Sequence, residues 1–246
     1  MIQTGRNLTA GEKSFRKEGL WADSRMLESF TFGWIAGNAE TALSEPNRIV
    51  LTEKTAEALF KDENPLGKSI NLDLPEDFVV TGIIPDPPFR SHIQFDYLVS
   101  YASLPALERD EHEPLRTTNW DNAYQGHVYF IAKEGTPQAT IEESLTEMAS
   151  WATDNSEFND FLFVPQPLAD ISPGDMNLGN QMGTEFPRLL LYILTGLSIL
   201  ILVLACLNYT NLSIARAMKR AREIGVRKEV GARRGQVVIQ FLVESV

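Results

Sequence analysis

The chain has 246 residues, a formal net charge of −11 and one cysteine, Cys206, which excludes an internal disulfide. The charge is divided: residues 1–187 carry 13 Lys and Arg against 30 Asp and Glu, whereas residues 188–246 carry 9 against 3. The acidic part is long enough for one or two domains with a core and would repel phosphates, which excludes nucleic acid as its partner; the basic end points to a membrane or an acidic protein.

Met1 to Gly19 holds no apolar stretch of signal-peptide length and no cleavage site. Phe30, Phe32 and Trp34, followed by Gly37-Asn38, predict a strand or partly buried segment over Arg25 to Ala42 that ends in a turn. Arg48 to Leu51 predicts a short strand, and Thr52 is placed to N-cap a helix over Glu53 to Phe60. Asp62 to Gly67 is turn-forming, and Ser69 to Leu72 with Phe78 to Ile84 predict a hairpin. Pro85-Asp86-Pro87-Pro88 excludes helix and central strand. Further strands are expected at Phe95 to Ser100, His127 to Ala132 and Phe161 to Val164. Pro137 to Trp151 predicts an amphipathic helix, with Ile141, Leu145, Met148 and Ala149 set between acids. The fold class is therefore an α+β domain.

Leu189 to Leu207 is an uncharged apolar run of 19 residues. At about 1.5 Å per residue it approaches the hydrocarbon thickness of a bilayer. The next charge is Arg216, and Ala215 to Arg234 is densely basic. Lys and Arg beside a span collect on the cytoplasmic face. Residues 1–187 are thus expected to form an extracytoplasmic domain, 188–211 a transmembrane helix, 212–235 a short helical cytoplasmic segment and 236–246 the start of the next transmembrane helix. With no signal sequence and a final apolar run that stops at Val246, the chain reads as an internal fragment of a longer membrane protein. Arg216, Arg220, Arg227 and Arg234 recur at spacings of 4, 7 and 7, while Gly225 and Gly231 predict a break into two short helices. Such a segment can bind anionic lipid, enforce topology or dock on an acidic groove of a partner; the residues alone leave all three open.

Other groupings carry no chemistry. Gly67-Lys68-Ser69 resembles the end of a phosphate-binding loop, but Asp62 stands where that loop needs glycine and Pro65 interrupts it. His92, His112 and His127 have no metal-ligand spacing, and Ser91, His92 and Asp96 lack a nucleophile elbow. Glu108, Asp110, Glu111 and Glu113 are expected in a solvated loop without the glycine turn of a calcium site. Asn208 and Asn211 are expected to cap the end of the apolar helix or begin the next one. No catalytic, cofactor-binding or metal site is expected.

Two stretches are less generic. One is Asn47 to Ser100, NRIVLTEKTAEALFKDENPLGKSINLD followed by FVVTGIIPDPPFRSHIQFDYLVS; the other is Leu204 to Ser245, LACLNYTNLSIARAMKRAREIGVRKEVGARRGQVVIQFLVES. Together they resemble the FtsX-like permease family, in its MacB-type branch of ABC transporter permeases. The first is similar to the extracytoplasmic core domain, with its "NP.GK" and "SH..FD" patterns. The second is similar to the end of the second transmembrane helix and the loop after it, with "R..EIG.RK..GA.R". Glu229 departs from this pattern, being an acid where a small or apolar residue is expected.

The resemblance implies a permease subunit of the bacterial inner membrane that transmits ATPase-driven motion to its extracytoplasmic domain, for export or mechanotransmission. It implies an ABC ATPase subunit as partner, with ATP hydrolysis there and not in this chain. It further implies a permease dimer in the bilayer and a periplasmic or outer-membrane partner. The coupling residues it implies are Arg216, Arg220, Glu223, Gly225, Arg227, Lys228, Gly231 and Ala232. The rival reading is a membrane-anchored extracytoplasmic sensor or scaffold without an ATPase.

Overall fold

In the computed structural model, the described residues are 1–61, 63–89, 91–114, 117–121, 126–171, 182, 187–229, 235 and 239. The chain divides into two units, Met1–Glu185 and Phe186–Val246.

The first unit opens with a long antiparallel hairpin. Its arms β1 (Ile2–Ala10) and β2 (Lys13–Ala22) pair from Ile2↔Trp21 to Ala10↔Lys13. Next comes α1 (Ser24–Ser29), where a strand or partly buried segment was expected. Asp23 decides the helix, because its carboxylate accepts from the Met26 N–H at 3.0 Å. The partial burial does hold for Phe30, Phe32 and Trp34. The remaining strands are β3 (Ala36–Gly37), β4 (Arg48–Thr52), β5 (Ser69–Ile70), β6 (Phe78–Ile84) and β7 (Tyr97–Ser100). The helices are α2 (Glu53–Phe60), α3 (Leu104–Arg109) and α4 (Gln138–Asp154).

The strands follow the order β1-β2-β7-β4-β6-β3, with β5 also on β6. The sheet then closes on itself. Asn71, just after β5, exchanges both backbone hydrogen bonds with Thr9 of β1, each 2.9 Å. The ring β1-β2-β7-β4-β6-β5 is a small barrel without a long free edge. Alternation places Trp21, Ile49, Leu51, Phe78, Val80, Tyr97 and Val99 in one core, joined by Leu59 and Phe60 of α2. The other face of the same strands gives Leu20, Ala22, Val50, Ile84 and Leu98, which pack against Met26 and Leu27 of α1.

This alternation needs a correction midway along β6. Ile49 faces Val80, but Val50 faces Gly82, so Thr81 is the extra residue of a β-bulge. The bulge restores the phase, and Ile83 rejoins the first core. Its hydroxyl donates to the Ala42 carbonyl at 2.6 Å and lies 3.3 Å from the Ile49 carbonyl. Thr81→Val keeps the shape and removes the donor. It is expected to cost about 1–2 kcal/mol, read as a lower urea midpoint for the detergent-solubilised chain.

Helix α2 lies where its sequence pattern places it, though its cap differs. Thr52 has extended N-cap geometry, yet its hydroxyl pairs with the Thr55 hydroxyl at 3.0 Å instead of a backbone N–H. At the other end Lys13 donates to the carbonyls of Ala58 and Leu59, at 3.2 and 2.6 Å, a cation at the negative end of the helix.

Helix α4 also forms as its periodicity predicts. The flanking runs His127 to Ala132 and Phe161 to Val164, expected as strands, join no strand ladder among the described residues. At the start of the first run Gly126 bridges to Ile2, the His127 N–H donates to the Met1 carbonyl at 2.7 Å, and the Met1 ammonium donates to the His127 carbonyl at 2.7 Å. Among the described residues no strand continues this pairing, and β-propensity without a paired edge makes no ladder.

Candidate functional site

The "SH..FD" residues fasten loops to the barrel. Ser91 Oγ accepts from the Ile93 N–H at 3.2 Å. His92 Nε2 lies 3.2 Å from the Tyr129 hydroxyl, and Phe95 meets Phe32 edge-on at 5.6 Å. Asp96 accepts from the Glu18 N–H at 3.1 Å and from Lys17 at 3.4 Å. Ser91 and Asp96 thus each accept from a backbone N–H, of Ile93 and of Glu18. Among the described residues no group of three or more His, Cys, Asp or Glu could hold a metal.

Lys68 of the Gly67-Lys68-Ser69 turn pairs with Glu63 and lies over the Phe60 ring at 5.2 Å. The same lysine holds the Glu63 carboxyl below its ordinary value. Gly67 donates to the Val80 carbonyl at 2.8 Å, so the turn's backbone is committed to β6.

The acid cluster at the end of α3 is not the solvated loop expected of it. Asp110 and Glu111 are exposed, but Glu108 and Glu113 are buried. Glu108 accepts from the Thr117 N–H at 3.1 Å and from its hydroxyl. Glu113 pairs with Arg6 of β1, a partner remote in sequence. Asp121 is a third structural acid. It accepts from the Ser156 hydroxyl at 2.5 Å and from the Asn159 amide at 3.0 Å, and the Ser156 bond chiefly lowers its pKa.

The second unit holds α5 (Arg188–Glu229), a single helix of 42 residues. Its stretch Arg188–Met218 is long and apolar enough to cross a membrane. Polar interruptions are few, and Ser198 and Thr210 return their hydroxyls to the carbonyls four residues earlier. Cys206 is exposed on this helix, and Asn208 and Asn211 lie inside it, so they cap nothing.

The helix also runs on through Gly225 to Glu229, where a break was expected. One glycine costs about 1 kcal/mol relative to alanine, which does not end a long cooperative ladder. Of the residues implied in coupling, Arg216, Arg220, Glu223, Gly225, Arg227 and Lys228 therefore share one helix. At about 100° per residue, positions 216, 220, 223 and 227 fall within an arc of about 60°, and 225 lies opposite 216. Arg216 is exposed. Gly231 and Ala232 lie outside the described residues, as does most of 236–246.

Comparison with known proteins matches both parts. A family model for the MacB-like periplasmic core domain covers residues 2–148, and one for the FtsX-like permease C-terminal region covers 195–246. The macrolide export ATP-binding/permease protein MacB of Aggregatibacter actinomycetemcomitans is 22% identical over 241 residues, 96% of this chain and 32% of that protein. MacB of Chlorobium luteolum is 26% identical over 197 residues, 80% of this chain and 27% of that protein. The chain thus spans about a third of the length of these relatives. Among solved structures, the periplasmic region of MacB from Actinobacillus actinomycetemcomitans aligns with TM-score 0.43 and 17% identity, over 61% of this chain and 64% of that one. The extracellular domain of the noncanonic ABC-type transporter YknZ from Gram-positive bacteria gives TM-score 0.43 and 16% identity, over 65% and 75%. With its periplasmic-core match spanning more than half of its length and the C-terminal match following in order, the chain belongs to the FtsX-like permease family, with a MacB-like periplasmic core domain and a candidate transmembrane helix.

Proposed function

We propose that the chain is part of an ABC transporter permease that carries ATPase-driven motion across the inner membrane to its extracytoplasmic domain, residues 1–187. The observation that carries this reading is the unbroken α5. The membrane-spanning stretch and the arginine-bearing arc of residues 216–227 belong to one rigid element. A helix without a joint passes displacement at its basic end into the membrane, whereas two short helices with a hinge absorb it. The basic end is cytoplasmic by its charge, and guanidinium forks suit the carboxylates of a docking ATPase. ATP hydrolysis belongs to that partner.

The test replaces Arg220 and Arg227 together by Glu in the protein as isolated from membranes. An ATPase is expected to co-purify with the native protein and to be reduced about tenfold or more in the variant, a loss in keeping with two reversed charge pairs. An intact variant that still holds its ATPase moves the docking surface elsewhere. No ATPase in either sample favours the sensor or scaffold. Arg→Lys at both positions separates docking from lipid binding: a fork-dependent site loses affinity, a lipid surface does not.

A further inference from the structure

Phe89 is 99% exposed, more than any other large apolar residue among those described. A single exposed phenyl is ordinary, but this one is held rigidly. Pro87 and Pro88 fix the backbone before it. The Ser91 N–H donates to the Pro88 carbonyl at 2.8 Å, and the Gln94 amide donates to the Pro88 and Ser91 carbonyls, each at 2.8 Å. Ile93 and Phe95 root the same loop in the core beside α1. Such a knob loses little freedom when it is enclosed. A hollow that suits it lies in the same unit. Phe130 and Ala132, with Ile141 and Leu145 of α4, line an open groove of about 270 Å³ whose only charged residue is Lys133. An apolar cavity of roughly 150 Å³ takes up benzene, so the groove has room for a phenyl ring. Knob and groove are neighbours. His92, three residues after Phe89, lies 3.2 Å from the Tyr129 hydroxyl, and Tyr129 adjoins Phe130. Phe89 nevertheless stays out of the groove of its own chain, since its exposure is almost complete.

We infer that a second copy of this chain fills the groove: two copies pair about a two-fold axis, each placing Phe89 in the groove of the other. Because knob and groove adjoin, one axis satisfies both contacts, and the pair closes without further growth. Pro85-Asp86-Pro87-Pro88 before the knob has one backbone N–H in four residues, so the tip cannot pair as a strand and offers only its side chain. The two units repel each other, residues 1–187 carrying 30 acids against 13 bases, but a shared bilayer keeps the copies at high effective concentration. The contact thus rests on α5 spanning that bilayer, and it needs no ATPase.

The test uses the 246-residue chain with Cys206→Ala, reconstituted in lipid vesicles, and reads pairing by energy transfer between dyes on C-terminal tags of separate copies. Pairing is expected, strengthened by salt that screens the like charges. Phe89→Ser and Phe130→Ser, both at exposed positions, are each expected to weaken it about tenfold or more with the urea midpoint unchanged. Together they are expected to weaken it less than the product of the single effects, since both remove the same contact. Chains carrying Phe89→Cys, mixed with chains carrying Leu145→Cys, are expected to form the crossed disulfide under mild oxidation, each such pair keeping its second contact intact. No pairing of the parent chain, pairing weakened by salt, pairing untouched by Phe89→Ser, effects that simply multiply, or a disulfide closed within one chain that carries both cysteines each overturns the proposal. A chain that fails to enter vesicles counts against α5 as a span, and sedimentation of the same variants in detergent then decides the contact.

Discussion

Gly19→Val is expected to lower the stability of the first unit by about 3 kcal/mol or more, one of the largest effects of any single substitution in the barrel. Gly19 faces Tyr97 across the parallel β2–β7 pair. A Cβ built on Gly19 falls 2.4 Å from the Tyr97 ring. That ring is wholly buried, and its hydroxyl reaches the Thr4 carbonyl of β1 at 3.5 Å. Burial also raises the Tyr97 pKa far above its ordinary value, so the phenol stays neutral. The ring has no room to retreat, and a valine side chain must displace β2 or β7. Urea unfolding followed by tryptophan emission reads the loss directly. Tyr97→Val in the same chain removes the obstacle, so the double variant is expected to lose less than the two single losses combined. Simple additivity would sink the packing explanation.

Glu113→Ala is expected to cost about 3 kcal/mol, because it takes a buried carboxylate away from the Arg6 guanidinium and leaves its site empty. The two side chains are 21% and 4% exposed, so solvent screens the pair weakly. The pair joins the segment after α3 to the first strand of the barrel, across 107 residues of chain. Replacing both partners by apolar residues of similar volume, Arg6→Met with Glu113→Leu, is expected to be close to neutral. The comparison of urea midpoints decides between an ion pair that adds stability and one that is only costly to break. A loss of under about 1 kcal/mol for Glu113→Ala would place this pair among the surface pairs.

The elements legible in the sequence are those with local causes. The strand at 48–52, the hairpin of β5 and β6, α2 and α4 follow from β-branched runs, turn residues and helical periodicity within a few positions. The β1–β2 hairpin escaped notice because its buried residues are few and set apart: Ile2 with Leu20, Trp21 and Ala22 at the open end, and Leu8 toward the turn. Between them the arms are polar, and Glu18 lies against Gly5. Barrel closure is not local either, since it joins Thr9 to Asn71. The burial of Glu108 and Glu113 was illegible for the same reason. Four acids within six residues, 108–113, announce solvent, and only tertiary structure brings Arg6 to one of them. At the candidate coupling segment the basic character was plain from the sequence, whereas Gly225 was given more weight as a breaker than one glycine has. The family was legible from two motif-bearing stretches, one in each unit, and not from composition.

The absence of a joint in α5 turns chain length into direction. Between Met218 and Glu229 each residue adds about 1.5 Å along the axis and about 100° around it. One residue gained or lost in this stretch swings every later position to another quarter of the compass, whereas seven return it almost to its starting bearing. The azimuth of the arginine arc is thus geared to the orientation of the span. A substitution here changes one position and leaves the bearing of the others, whereas an insertion or deletion keeps that bearing only in nearly whole turns.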